Sequence, residues 1–582
     1  MAKRQRAQRT NKHSEISTIR HSASHLLAEA VLNLYPETKL AIGPATEEGF
    51  YYDFEFKRSL TDADLPKIEA EMIRLAAEGR KFKHSQKTIA AALKWAQSCK
   101  QPYKIELIKD LKKAGHKRLS FYASGRFTDL CEGPHVKNTS AIGAFKLLSL
   151  AGAYWRGDED NPQLTRIYGT AFATKKELAE HLKRIEEARR RDHRVLGERL
   201  DLFSFHEEGP GFPFWHPRGW FIFSEILTYM RRVLAESGYQ EINTPIILNE
   251  RLWHKSGHWD NYQESMYFTE IDKRKYAIKP MNCPGGLLIF THRLRSYRDL
   301  PMRMGEFGLV HRHELSGVLH GLFRARSFTQ DDAHVYCTPD QVKGEIKTLI
   351  RLTLKVYRDF GLTDYRIELS TRPAKSIGSD AIWRKSEKIM KDIIKEERLK
   401  VEINKGEGAF YGPKFDFHVR DILGRSWQLG TIQLDFSMPE RLGATYIDKG
   451  GKKKTPIMIH RALFGSLERF IGILLEHYGG ALPLWLAPIQ AAILPISDKE
   501  TAYAKKVLAA LATAGLRTFL DDRNESLSRK IRDAELQKIP YMLIIGPKET
   551  RAKTVSVRDS SGDTGSKSLV QTIKHLSGFR RP

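Results

Sequence analysis

The stretch Arg303–Cys337, RMGEFGLVHRHELSGVLHGLFRARSFTQDDAHVYC, holds the densest set of side chains able to bind or transform a ligand. It reads as a strand, a loop bearing Gly317 and Gly321, and a second strand. The two-residue period of a strand puts Arg324, Arg326, Phe328, Gln330, Asp332 and His334 on one face. A mixture of guanidinium, aromatic, amide, carboxylate and imidazole groups suits a ligand pocket better than a core; a polar solvent-facing strand is the plainer alternative. On the first strand the same parity gives Val310, Arg312 and Glu314. Arg312 and Arg324 can therefore aim into one pocket, where planar guanidinium groups match phosphate oxygens.

Two further pieces carry candidate chemistry. IMIHRALFGSLERFIGILLEHY (Ile457–Tyr478) predicts a strand ending at His460 and then a helix with Arg469 near its start and Leu467, Phe470 and Leu474 facing inward. ESGYQEINTPIIL (Glu236–Leu248) predicts a helix end running into a strand interrupted by Pro245. Cys283, His334 and His460 lie on three well-separated segments, and with no CxxC or HExxH pattern their spacing leaves zinc ligands and buried core residues both open. Nearer the start, His21 and His25 share a helix face at i,i+4, and Cys131 and His135 repeat that interval. On spacing, this set reads either as a zinc site or as a cap or core cluster.

These side chains need several scaffolds. The chain has 582 residues, 41% of them hydrophobic, enough for three to five domains with cores of their own. The four cysteines are too few and scattered for a disulfide framework, which suits a reducing compartment. No run of 18 apolar residues and no apolar secretory core appear, so a cytoplasmic protein without membrane contact is expected. With 96 Lys+Arg against 70 Asp+Glu, the net charge of +26 points to a polyanionic partner, nucleic acid before membrane. The pattern divides into a disordered basic arm at 1–15, an α+β domain at 16–174, an exposed charge-dense helix at 175–191, a large α+β domain at 192–483 and an α/β domain at 484–582.

In order along the chain, the three pieces resemble the signature motifs of the class II aminoacyl-tRNA synthetases: a proline-bearing dimer motif, a strand–loop–strand with HRHE, and a final GSLER helix. KPMNCPGG, FTQDDAH, GAFYGPKFDF, TIQLDF and IHRALFGSLERF are more closely similar to the threonyl-tRNA synthetases, from about His21 to the C-terminus. That resemblance implies an α+β multidomain protein, with an antiparallel-sheet class II catalytic domain, an α+β editing domain and an α/β anticodon-binding domain. It further implies a homodimer that uses ATP, with Mg²⁺, to activate L-threonine as threonyl-adenylate and then transfers it to tRNA(Thr).

Residue by residue, the resemblance makes Cys283, His334 and His460 ligands of a catalytic Zn²⁺. Arg312 and Arg469 become catalytic, with Glu314, Arg324 and Phe328 completing the ATP site. Gln330, Asp332, Tyr411 and Gln433 fall to threonine. A zinc that demands a hydroxyl rejects valine but not serine, since one lost methyl leaves only roughly 10–200-fold discrimination. The family's hydrolytic editing of seryl-tRNA(Thr), without bound metal, then falls to His21, His25, Lys104, Asp129, Cys131 and His135. Asn524, Glu549 and Arg558, with Arg532, match positions that read anticodon bases.

The sequence departs from the family pattern in three places. The basic arm stands where the family usually carries a small ubiquitin-like domain, Gly286 replaces the histidine usual after Cys-Pro-Gly, and Asp559 follows Arg558 in place of a basic residue. Cys99 and Cys337 receive no role.

Overall fold

The computed structural model describes residues 2–420 and 424–578, with side chains from Glu15 onward apart from that of Asn261. The chain forms two compact units, Met1–Glu186 and Glu187–Pro582.

In the first unit, the helix Ala2–Leu34 buries Ile19, Ala23, Leu26, Leu27, Ala30 and Val31, a repeat of three and four that gives it one apolar face. Over 1–15, where the sequence predicts a disordered arm, the backbone is drawn as a continuation of this helix. That stretch has no Gly or Pro and is rich in Ala, Arg, Gln and Lys, all good helix formers, so nothing in it stops the helix. The helix packs on a four-stranded antiparallel sheet ordered Lys39–Leu40, Phe50–Glu55, Gln163–Phe172, Ala144–Tyr154. A smaller antiparallel sheet, Phe82–Thr88, Arg118–Ser124 and Phe127–Leu130, is backed by the helices Ile89–Ser98 and Pro102–Lys113. The helix Lys175–Arg191 buries no side chain, as its charge density predicts.

The second unit is built on an eight-stranded sheet ordered Gln240–Glu241, Met302–His311, Ser327–Cys337, Ile457–Ala462, Ser426–Asp435, Lys414–Arg420, Tyr365–Ser370, Val401–Asn404. Its inner strands are antiparallel, and only the two edge pairs are parallel. Ile457–Ala462 is buried at every position, as a central strand covered on both faces must be. The helix Val342–Asp359 turns Ile346, Leu349, Ile350, Val356 and Tyr357 onto the sheet, and Leu467–Tyr478 adds Phe470, Ile471 and Leu474 to the same core.

The register positions the chemistry. His334 stands directly opposite His460 on one side, and His460 opposite Gln433 on the other, so three non-adjacent stretches of sequence supply one row across the sheet. The C-terminal part forms a five-stranded mixed sheet ordered Thr518–Leu520, Ala491–Pro495, Tyr541–Ile545, Thr554–Asp559, Gly562–Ser568. Among the described residues no helix is long and apolar enough to cross a membrane.

Candidate functional site

The row across the large sheet ends at a helix. Cys283 is the first residue of Cys283–Thr291, and its sulfur, with ring nitrogens of His334 and His460, forms a buried set in which the potential ligand atoms all lie within 4.8 Å of one another. Burial, joined by Asp332 and Asp435, pushes the Cys283 thiol well above the ordinary thiol range, so a thiolate here needs a neighbouring cation. His334 is driven well below the ordinary imidazole range by burial and by His460. Its Nε2 is buried with no hydrogen-bond partner. His460 Nε2 bonds Asp435 Oδ2 at 3.0 Å, so a carboxylate orients that ring. One sulfur, two imidazoles and an orphaned ring nitrogen fit a borderline-soft cation such as zinc, with an orienting carboxylate behind one ligand.

Around this set, Asn282 Nδ2 donates to Asp332 Oδ2 at 3.2 Å, the Tyr411 hydroxyl donates to Gln433 Oε1, and the Tyr411 ring lies 5.0 Å from that of His460. Asp332, Tyr411 and Gln433 thus converge on the donor cluster. Gln330 lies two residues before Asp332 on the same strand face. A Cβ at Gly286 would lie 3.4 Å from Tyr336 Oη and 3.5 Å from His334 Nδ1, so the departure from the family histidine opens space beside a ligand-bearing ring.

The neighbouring arginines sit where the strands leave the sheet. The ladder ends at His311 and Ser327, one hydrogen bond from Arg312 N to Arg326 O extends it, and Arg324 lies in the loop beyond rather than on the strand face. Arg324 Nε reaches Glu314 Oε2 at 3.0 Å, while Arg326 is held by the Glu314 and Pro210 carbonyls. Arg312 anchors through Nε to Pro280 O at 3.2 Å and lies 5.0 Å from the Phe328 ring. Arg469 is fixed by Phe323 O at 2.9 Å and Gln428 O at 3.1 Å. Burial, and then Arg312 and Arg324, lower its affinity for its proton, and Glu314 opposes them. Three guanidinium groups held within mutual electrostatic reach make a site for a polyanion.

In the first unit, His21, His25, Cys131 and His135 also gather, with ligand atoms within 4.8 Å of one another. Cys131 Sγ lies 3.2 Å from His135 Nε2 and 3.4 Å from His21 Nε2, and accepts from Gly133 N at 3.2 Å. His21 Nδ1 donates to Pro134 O at 3.2 Å, and His135 Nδ1 pairs with Ser22 Oγ at 3.0 Å. Burial lowers all three imidazoles, His135 to about 2, and raises the Cys131 thiol to about 11. Behind them a buried chain runs from Lys104 Nζ to Asp129 Oδ1 at 2.6 Å and from the Tyr52 hydroxyl to Asp129 Oδ2 at 2.7 Å. A cavity of about 660 Å³ opens here, lined by His21, His25, Lys104, Asp129 and Cys131.

The C-terminal trio is not gathered in this way. Asn524 and Glu549 follow the ends of parallel strands, whereas Arg558 pairs with Met542 toward the opposite end of the sheet and leans on Glu535. Glu549 is engaged as a cap, accepting from Gly546 N at 2.9 Å.

Several site residues escaped the sequence reading. Asp435 lies two residues beyond Gln433 within TIQLDF, a spacing that puts both on one strand face. Tyr52 lies in GFYYDFEF, where alternation buries Phe50, Tyr52 and Phe54 together. His258, whose Nε2 is 3.8 Å from Cys283 Sγ, had no such signal.

An antiparallel sheet with a row of ligand donors and a cradle of arginines defines a class II aminoacyl-tRNA synthetase, and the model for the tRNA synthetase class II core domain (G, H, P, S and T) matches residues 267–478. The anticodon binding domain matches 490–577, and the threonyl and alanyl tRNA synthetase second additional domain matches 119–168. Over 561 residues the chain is 53% identical to the threonine–tRNA ligase of Clostridium tetani, covering 96% of this chain and 87% of that one. It is 54% identical over 560 residues to the Clostridium botulinum enzyme of the same name, covering 96% and 88%. The chain belongs to the threonine–tRNA ligase family. Among solved structures, the RNA binding domain of threonyl-tRNA synthetase from Cryptosporidium parvum aligns with a TM-score of 0.65 and 39% identity, covering 67% of this chain and 99% of that one.

Proposed function

We infer that the chain joins L-threonine to tRNA(Thr) at the large sheet and hydrolyses mischarged seryl-tRNA(Thr) in the first unit. The observation that carries this reading is that Arg312 lies within electrostatic reach both of the Cys283 thiol, in the donor set with His334 and His460, and of Arg469. Cys283, His334 and His460 would hold one zinc ion, which when bound supplies Lewis-acid positions for the threonine amino and hydroxyl groups.

Asp332 and Tyr411 hold the amino group, and Gln330 and Gln433 steady the rest of the amino acid. Arg312 binds the α-phosphate, Phe328 stacks on the adenine, Glu314 reads its amino group, and Arg324 and Arg469 take the remaining phosphates that Mg²⁺ accompanies. The threonine carboxylate oxygen attacks the α-phosphorus in line as the bond to diphosphate breaks. The terminal ribose hydroxyl of the tRNA then attacks the activated carbonyl and AMP leaves. No protein nucleophile is required, because positioning and charge neutralisation lower the barrier. Asn524, Glu549 and Arg558 contact the anticodon from separate parts of the C-terminal sheet.

The test is threonine-dependent exchange of pyrophosphate into ATP. Exchange is expected with threonine, and rates lower by about 10⁴-fold with valine, which lacks the hydroxyl; no exchange by zinc-replete protein overturns the reading. A cytoplasmic homodimer accompanies it, supported by Ile246 and Ile247, 41% and 47% exposed on the proline-bearing segment. Light scattering is expected to give twice the chain mass, and replacing both isoleucines with lysine to lower it.

A further inference from the structure

A third cluster of potential ligands, Asp192, His193 and Glu476, belongs to neither constellation. His193 is completely buried in a short helix near the start of the second unit, and both of its ring nitrogens are used. Nε2 receives the backbone N–H of Leu322 at 3.1 Å. An N–H can only donate, so Nε2 must be the bare nitrogen and Nδ1 must carry the proton, which it gives to Glu476 Oε1 at 2.8 Å. With both nitrogens so occupied the cluster is a hydrogen-bond relay rather than a metal site.

The ends of the relay are telling. Leu322 lies in the turn Gly321–Phe323, immediately before Arg324, and Glu476 lies on the helix Leu467–Tyr478 that carries Arg469. The His193 ring stacks on Phe323 with centroids 4.2 Å apart, and the Phe323 carbonyl accepts from Arg469 Nε at 2.9 Å. Two glycines permit this approach. A Cβ at Gly321, which has a φ of +51°, would lie 2.4 Å from His193 Nε2, and one at Gly472 would lie 2.8 Å from the Phe323 ring. One buried imidazole therefore ties the turn before Arg324 to the helix bearing Arg469.

We propose that His193 is a positioning residue for ATP, holding the Gly321–Arg324 turn so that Arg324 and Arg469 meet the same phosphate chain. It touches no substrate itself. The proposal rests on the reading of those two arginines as ATP ligands, and threonine, bound by the row across the sheet, lies outside its influence.

Equilibrium dialysis of the full-length, zinc-replete chain with Mg·ATP, and separately with threonine, tests it. His193→Ala leaves the Leu322 N–H without its acceptor and takes the ring N–H away from Glu476, which keeps only the backbone N–H of residue 193 and Arg425, and is expected to raise the Kd for ATP about tenfold while leaving that for threonine within about twofold. His193→Gln, whose amide can accept from Leu322 and donate to Glu476, is expected to recover most of the ATP affinity, and Glu476→Gln, which keeps an acceptor, to stay near the unsubstituted chain. Unchanged ATP affinity in His193→Ala overturns the proposal. So does an equal loss for both ligands that His193→Gln does not relieve, since that marks a general structural role. Dialysis reads ATP binding without turnover, so a chain that binds ATP but shows no threonine-dependent exchange sinks the ligase reading while this comparison still decides the role of His193.

Discussion

Replacing Cys283 with serine is expected to remove zinc from the protein and to lower threonine-dependent pyrophosphate exchange by more than about 100-fold, because even an outer-shell partner of a metal ligand typically costs 10–100-fold. The thiol is the only sulfur in a donor set completed by His334 and His460. Soft thiolate is what selects zinc over the harder cations of the cell, and a serine hydroxyl does not replace it. Cys337 provides the control: it is buried on the strand that carries His334, its sulfur faces the Ile457 carbonyl at 3.7 Å, and it lies outside the donor set. Cys337→Ser should keep one zinc per chain and nearly full exchange. Elemental analysis and the exchange assay on both variants decide the matter. Zinc at full occupancy in Cys283→Ser refutes the ligand assignment, and zinc lost equally from Cys337→Ser shows that the strand, not the ligand, was damaged.

Residues that act as local patterns were legible from the sequence. The alternation in FTQDDAH puts Phe328, Gln330, Asp332 and His334 on one strand face, and the GSLER helix buries Leu467, Phe470 and Leu474 as its period requires. What the sequence could not supply is register between strands more than a hundred residues apart. His334 and His460 are cross-strand partners, yet no local signal says so; the spacing of Cys283, His334 and His460 carried little weight until the resemblance was applied. Asp435 was missed for a similar reason, since its value comes from the ring it orients on the adjacent strand.

One misplacement has a plain physical cause. Extending strand parity through Arg324 ignored that a ladder ends where the partner chain turns away, so the arginine reaches the site from a loop held by Phe323, His193 and Arg469.

The double variant His21→Ala, Cys131→Ala is expected to leave threonine activation intact and to slow hydrolysis of seryl-tRNA(Thr) by about 10²–10⁴-fold, the usual contribution of positioned acid–base groups. The two substitutions remove side chains from the lining of the cavity that Lys104, Asp129 and His25 also line, in a unit that holds none of the residues proposed to bind ATP or zinc. The pH profile separates possible chemistries. Burial keeps His21, His25 and His135 below the ordinary imidazole range, so they stay neutral where an exposed imidazole would already be taking up its proton. Editing by water under imidazole control should therefore hold its rate where an exposed histidine would lose it. Attack by a Cys131 thiolate would instead rise steadily with pH, since that thiol is held up near 11. Zinc content gives an independent readout. One zinc per chain in both the unsubstituted protein and the double variant fits an editing site that works without metal. A second zinc that disappears with His21 and Cys131 would make the cluster a metal centre, and unchanged clearance of seryl-tRNA would place editing elsewhere in the chain.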